Sequence, residues 1–289
     1  MTLEKNPETT EEKPFYKVIV HSFFVIPFLI AVFCLLLFTA VHMLTREQRT
    51  VYDYLEDVKT GGVSKRWQGA FELSRILANP KLVPKDERFT NVITAAFKQS
   101  QHDDDRVREY LALAMGRTGD KKFAQPLIDA MKEANEDTLS SLIYALGMLK
   151  SKNAVEHIAT FLDHPNARIR SIAVVALGNI GDDKIVPLLQ KSLGDVEPNV
   201  QWGAAVSLAQ MGNNSGKDVL FQLMQRDYLK KFSEVDSDEQ TNLILMAIDA
   251  STKLNESSLQ KQIKLLADSD ESMKIRTAAL KTISKSKLN

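Results

Sequence analysis

The chain has 289 residues, of which 44% are apolar, so it can bury one or two cores and is not disordered throughout. Lysine and arginine total 37, as do aspartate and glutamate, so no net charge attracts nucleic acid and we predict no nucleic-acid partner. The single cysteine, Cys34, lies in an apolar segment, so the rest of the chain has neither a disulfide nor a thiolate metal site.

A polar tail, residues 1–17, precedes a segment from Val18 to Thr45 that contains no charged residue. Because a helix of about 20 apolar residues crosses a bilayer, the segment predicts one transmembrane helix over 18–45. A cleavable signal peptide is the alternative, but the segment is too long and the tail before it carries several glutamates. Pro27, inside the segment, predicts a local bend of the helix.

His21 and His42 lie near opposite ends of this span. They would bind haem only if a partner helix supplied further ligands, and interfacial histidines are the simpler interpretation. Flanking basic residues are fewer before the span than after it: Lys5, Lys13 and Lys17, against Arg46, Arg49, Lys59, Lys65 and Arg66. This excess places the following domain on the cytoplasmic side of a cell membrane, the inner membrane in a bacterium.

Residues 46–62 predict a short amphipathic helix that ends at a Gly-Gly linker. Thr45 and Gln48 have the spacing of a capping box, and Val51, Leu55 and Val58 recur at helical intervals. This helix would lie either on the membrane or against the first unit of the domain that follows.

From there on, a shift of 31 residues superposes like residues over four units. Equivalent positions of the four units form columns. One column holds small residues (the small column: Gly116, Gly147, Gly178, Ala209), another holds turn residues (the turn column: Gly119, Lys150, Gly181, Gly212), and one of the apolar columns holds Leu127, Ile158, Leu189 and Leu220. N-cap residues recur at the same period: Asp104, Asn135 and Asn166 before the first helix, and Asp120, Ser151, Asp182 and Asn213 before the second. Each unit therefore predicts a helical hairpin, whose two helices approach closely at the small column.

Weaker copies flank the four clear units, beginning near Arg66 and, after an insertion within Gln225 to Ser237, continuing from Leu243 to the end. The sequence thus predicts an all-α fold: an α-solenoid over 63–289 of about six to seven hairpins, the last a half-unit, preceded by the transmembrane helix.

The phrase Asp105-Arg106-Val107-Arg108, followed by Ala114-Met115-Gly116 and Gly119-Asp120, has an echo from Arg168 to Asp182. It resembles HEAT repeats of the short bacterial type, which are also seen in phycobilin lyases, and the resemblance covers roughly residues 63–289. It implies that Arg108 and Arg170 bridge neighbouring repeats, in a ladder that Leu139 and Gln201 interrupt. It also implies protein recognition, because such solenoids are mostly binding scaffolds.

We identify no catalytic, cofactor-binding or metal-binding residue, since no nucleophile, base, phosphate loop or His-Glu set has a useful spacing. The acidic run Asp103 to Asp105 lacks the glycine and terminal glutamate of a calcium loop, and a helix start is the better interpretation.

Trp202 occupies a column that holds Glu109, Ser140 and Ser171 in other units, and Trp67 falls in the same column, so both are candidate partner contacts. The alternative is that each tryptophan packs locally, against the juxtamembrane helix or the inserted segment. Further candidates stand on the second helices, where such solenoids usually have a concave face: Asp129, Glu156, Lys191 and Gln222.

The sequence thus predicts a non-catalytic, membrane-anchored scaffold that binds one or more proteins at the membrane, with no cofactor and no small-molecule substrate. Two alternatives remain: an accessory subunit of a membrane transporter or redox complex, and an enzyme of the bilin-lyase kind, which would bind a chromophore.

Overall fold

The structure is a computed structural model that describes residues 21–45 and 49–286. Every regular element in these residues is helical, which confirms the all-α prediction. The chain divides into two compact units, of which the first ends at Arg49 and the second begins at Thr50.

The first unit contains α1 (Ile26–Thr45), which a π-helical turn, His21–Val25, precedes. The π-helical turn ends two residues before Pro27, which is the second residue of α1, and the bend expected at the proline stays a prediction. The 19 residues Phe23–Val41 have a mean hydropathy of 2.9 and none is buried within the structure. By length and composition the helix suits a membrane, as does a signal sequence near an N-terminus. The side chains of His21 and His42 lie outside the described residues.

The second unit begins with α2 (Val51–Thr60), whose capping box joins Thr50 and Asp53. The Thr50 N–H donates to Asp53 Oδ2 over 2.7 Å, and the Asp53 N–H donates to Thr50 Oγ1 over 3.3 Å. The box expected at Thr45 is therefore displaced, because Thr45 ends α1. Val51 and Leu55 are buried in the same core as the repeats, so α2 caps the first of them.

The remaining helices form a series of pairs, often with a short 3-10 turn at the start or end of the second helix. They are α3 (Val63–Ile76), α4 (Glu87–Gln99), α5 (Asp105–Arg117), α6 (Ala124–Ala130), α7 (Glu136–Leu149), α8 (Val155–Ala159), α9 (Ala167–Ile180), α10 (Val186–Ser192), α11 (Pro198–Gln210), α12 (Lys217–Leu223), α13 (Arg226–Leu229), α14 (Ser237–Ser251), α15 (Ser257–Ser269) and α16 (Met273–Ser286). The first helices α3, α5, α7, α9, α11, α14 and α16 pack against one another in order, which makes the stack a solenoid.

The small column lies between neighbouring units, and not within a hairpin as predicted. A Cβ on Gly147 would stand 2.8 Å from Ala176 Cα of the next first helix, and a Cβ on Gly116 would stand 2.8 Å from Ala145 Cα. Sequence periodicity aligns equivalent positions but does not say which neighbour each one meets. The glycines therefore set the spacing between repeats.

The turn column ends the first helices in the left-handed conformation. Gly119, Gly181 and Gly212 have φ of 69°, 68° and 75°, values that glycine adopts without steric cost. Lys150 has φ of 48° at the same place, which makes it the single non-glycine residue with positive φ in the described chain.

The predicted N-caps hold their helix starts. Asn135, for example, accepts a hydrogen bond from the Thr138 N–H over 2.9 Å, and Asp182 accepts one from the Lys184 N–H over 3.1 Å. Ser151 stands at its predicted position but makes no capping hydrogen bond through its side chain.

The insertion between α12 and α14 is part of the core. It contains α13, and Leu229 and Val235 from this segment are buried together with residues of α11, α14 and α15. The last two pairs and α16 are therefore held together by a segment that does not belong to the 31-residue pattern.

Candidate functional site

The candidate contacts on the second helices are all exposed. Asp129 lies on α6, Glu156 on α8, Lys191 on α10 and Gln222 on α12, and each is exposed. Lys191 Nζ lies 2.8 Å from an Asp163 carboxylate oxygen, but both side chains are mostly in solvent, where an ion pair contributes little. These four exposed side chains are mixed in charge, as the sequence indicates.

A small depression opens beside Lys191, lined in part by Leu162, Leu188 and Asp195. Its volume is about 200 Å3, which is below the roughly 300–1,000 Å3 of sites that enclose a drug-sized ligand. The depression is too small to enclose such a molecule.

The fourth residue of each first helix forms a column along the stack that is polar except at Leu139: Arg66, Arg108, Leu139, Arg170, Gln201, Gln240 and Arg276. All but Arg108 and Leu139 donate to a backbone carbonyl in the segment just before their own helix. Arg170 also makes a bidentate pair with Asp195 of the next turn, with both N–O distances at 2.8 Å. These bonds lower the pKa of the Asp195 carboxyl. Arg170 therefore bridges neighbouring units, as the resemblance implies.

Arg108 does not form the expected bridge. Glu133 lies as far after Arg108 as Asp195 lies after Arg170, but its carboxylate accepts a hydrogen bond from the Gln101 amide. The Arg108 Nε and Nη1 atoms are buried without a hydrogen-bond partner among the described residues, and the guanidinium stacks on Phe97, 5.1 Å from the ring centroid. Burial lowers the pKa of Arg108. The ladder is thus broken at two successive units.

Trp202 is a core residue and not a surface contact. Its side chain is 2% exposed, its ring meets Phe232 edge to face at 5.1 Å, and its Nε1–H donates to Tyr228 Oη over 3.3 Å. Both partners belong to the insertion, which has no equivalent in the other repeats. The repeat alignment therefore cannot predict that the indole is buried. This corrects the expectation of a contact anchor in favour of local packing.

Trp67 is half-buried against the N-terminal core. The Arg106 guanidinium lies over its indole, 4.6 Å from the ring centroid. This tryptophan too packs locally, on the first helix of the next unit.

A cleft of about 720 Å3 lies among α14, α15, α16 and the loop between α14 and α15. Each helix contributes one stripe at i, i+3 and i+4: Leu245, Ile248 and Asp249; Gln260, Ile263 and Lys264; Ala278, Lys281, Thr282 and Lys285. Ile248 and Ile263 are buried, whereas the lysines are exposed. The cleft thus has an apolar floor and a basic rim, and its volume suits one small molecule.

None of the residues that line this cleft was predicted from the sequence. The repeat is weakest in the last three helices, so no column there distinguishes an unusual residue from a variable one. The available signal was the pair Lys281 and Lys285, which stand one helical turn apart beside apolar positions.

The fold defines a class, because the profile of HEAT repeats matches residues 93–173 and 155–231. Residues 93–231 thus contain HEAT repeats, and the described residues form an all-helical, HEAT-repeat solenoid-like fold, as the resemblance stated from the sequence implies.

Among curated proteins, the chain is similar to the bilin biosynthesis protein PecE. It is 23% identical to PecE of Nostoc sp. strain PCC 7120 and 24% identical to PecE of Mastigocladus laminosus, over 181 residues in each case. The matches cover 62% of this chain, and 68% and 64% of the two relatives. A chain in the structure of the CpcE–CpcF complex of phycocyanin lyase from Nostoc sp. PCC7120 shares the fold, with a TM-score of 0.56 and 19% identity. That alignment covers 82% of this chain and 96% of the other.

These similarities contradict the prediction of a non-catalytic membrane scaffold. The matched relatives are named for bilin biosynthesis, and the fold is that of a phycocyanin lyase component. A solenoid with no recognisable catalytic motif was interpreted as a binding scaffold, although fold alone does not decide activity. The expectation that the chain has no small-molecule substrate likewise has no support.

Proposed function

We propose that this chain is a bilin-lyase-like protein, which handles an open-chain tetrapyrrole together with a protein partner. The observation that carries the proposal is the similarity to PecE over 181 residues, which are 62% of this chain. The sequence identity to PecE is 23%. The structural alignment with the chain of the CpcE–CpcF complex extends the similarity in fold to 82% of this chain.

The architecture is compatible with such a role. A solenoid presents long surfaces made by successive helices, and a chromophore must be passed between proteins without release into water. The related fold occurs in a complex of CpcE with CpcF, so we extend to this chain the requirement for a protein partner.

The first test is a chromophore-binding measurement on the full chain, purified in mild detergent. Addition of biliverdin should shift and sharpen its visible absorption band and induce a circular-dichroism signal in the visible region. In a second step, transfer of the bilin to apo-phycocyanin should be faster with the chain than without it, read as covalent chromophore after denaturing electrophoresis. Heat-denatured chain is the control. If the folded chain neither alters the spectrum nor accelerates transfer, the proposal is wrong.

For localisation, we propose that α1 crosses a membrane and that the second unit lies on its cytoplasmic side. The support is the exposed apolar window Phe23–Val41 and the basic residues after it. The chain should stay with the membrane fraction after alkaline carbonate extraction and should keep its N-terminal segment by mass spectrometry. A soluble chain that begins after Thr45 would show instead that the segment is a cleaved signal.

A further inference from the structure

We propose that the cleft among α14, α15 and α16 is the binding site of the open-chain tetrapyrrole, and that its lysines recognise the two propionate groups. This inference rests on the proposed function and adds to it the place and the chemistry of binding. The term C-terminal cleft is used below for this cavity.

The C-terminal cleft has the size that the ligand needs. Its volume of about 720 Å3 lies within the roughly 300–1,000 Å3 typical of small-molecule sites, whereas the depression near Lys191 has about 200 Å3. Its walls are stripes of three successive helices, and each stripe extends over at least one helical turn. A cavity of this volume suits an open-chain tetrapyrrole.

The floor of the C-terminal cleft is apolar. Leu245 and Ile248 of α14, Ile263 of α15 and Leu254 of the connecting loop line it. Ile248, Leu254 and Ile263 are 2%, 7% and 3% exposed, so the core holds them in place. Pyrrole rings buried against them would leave water, which favours binding in proportion to the apolar area covered.

The rim supplies positive charge from two directions. Lys281 and Lys285 stand one turn apart on α16, while Lys264 on α15 and Lys253 in the loop belong to other walls. None of these four has an ion-pair partner among the residues described, and the one acidic side chain lining the cavity is Asp249. An ammonium on a flexible stem adapts to a carboxylate at the end of a propionate arm. Lysines on separate walls suit a molecule that carries two such arms.

The residues of the C-terminal cleft allow only reversible, non-covalent binding of the chromophore through a thiol-free site. The only cysteine of the chain is Cys34 in α1, so the cleft offers no thiol to trap the chromophore covalently. Charge-assisted contacts at the rim weaken as salt rises, which allows release to a second protein. A carrier site of a transfer protein needs this property.

The test is a biliverdin titration of the full chain, followed by visible absorption and induced circular dichroism. Lys264→Gln with Lys281→Gln should weaken binding by about tenfold or more, since two charge-assisted contacts are lost. Lys121→Gln with Lys122→Gln is the matched control, because these lysines are exposed on another unit. Ala278→Trp, which fills the cleft from α16, should abolish binding. Far-UV circular dichroism and the urea midpoint show whether each variant is folded.

Biliverdin dimethyl ester tests the recognition of carboxylates. The parent chain should bind the ester more weakly than it binds the free acid. The affinity for the ester should be the same in the parent and in the Lys264→Gln, Lys281→Gln chain. If the parent binds biliverdin and the cleft variants bind it equally well, the site is elsewhere and the proposed function stands. If the parent binds no bilin, this site is wrong, and the proposed function fails as well when the chain does not accelerate bilin transfer.

Discussion

Arg226 and Asp270 form a bidentate ion pair that joins the insertion to the turn between α15 and α16. Arg226 Nε lies 3.0 Å from Asp270 Oδ2, and Nη2 lies 2.9 Å from Oδ1. The carboxylate is almost fully buried, with 3% of the side chain exposed. Burial is the largest single influence and would raise the pKa of Asp270, but the hydrogen bonds from Arg226 and the Ser272 N–H and the charges of Arg226 and Arg276 together outweigh it, so the pKa is lowered. The contact ties α13 to the helices that form the C-terminal cleft.

The first prediction concerns removal of one partner of this pair. Arg226→Met leaves a buried carboxylate without its counter-ion and should lower the free energy of unfolding by about 3 kcal/mol. Adding Asp270→Asn should recover much of the loss, because an amide costs less to bury than a charge. Urea denaturation of the full chain in mild detergent, followed by far-UV circular dichroism, measures both. Strictly additive losses would show that the two side chains are not coupled.

The second prediction is the pH dependence of the same pair. Because the pKa of Asp270 is lower in the folded chain than its ordinary value of 3.8, the stabilisation is complete well above pH 3.8 and is lost as pH falls through the folded pKa. The stability difference between the parent and Asp270→Asn should therefore shrink between about pH 6 and about pH 3. A difference that stays constant across this range would contradict the direction of the shift.

The third prediction uses one substitution at two glycines. Gly147→Ala puts a methyl 2.8 Å from Ala176 Cα and should cost about 1–3 kcal/mol, because two packed helices must separate. Gly203→Ala is the control: its nearest neighbours, side-chain atoms of Val175 and Val174, would be 3.4 and 3.5 Å away, an ordinary contact. There the helix propensity of alanine should stabilise the chain by about 0.5–1 kcal/mol. Equal effects at both sites would mean that the close approach of repeats does not limit packing.

The sequence predicts the solenoid well because its information is local and repeated. N-caps such as Asn135 and left-handed turns such as Gly181 depend on a few neighbouring residues, so a period reveals them. The direction in which Gly147 packs, and the burial of Trp202, depend on residues far along the chain. The C-terminal cleft was missed for the same reason, since three helices with weak periodicity meet there. The function was misjudged because the solenoid fold is shared by scaffolds and by proteins of bilin chemistry.

The fourth prediction concerns Trp202. Trp202→Ala should lower the free energy of unfolding by about 3–5 kcal/mol, since it leaves a cavity between α11 and the insertion. Trp202→Phe should cost less, because an aromatic ring there still meets Phe232. Urea midpoints by circular dichroism test both variants. If the Trp202→Ala chain is as stable as the parent, the tryptophan does not contribute to the core as its burial indicates.

The fifth prediction is a gain of stability at the one strained turn. Lys150 ends α7 with φ of 48°, where the other clear units have glycine. A Cβ in this conformation is strained, so Lys150→Gly should raise the free energy of unfolding by about 1 kcal/mol. Lys150→Ala removes the same charge but keeps the Cβ, so it separates backbone strain from electrostatics and should give no comparable gain. If Lys150→Ala stabilises the chain as much as Lys150→Gly does, the lysine charge, and not the left-handed backbone, is what destabilises this turn.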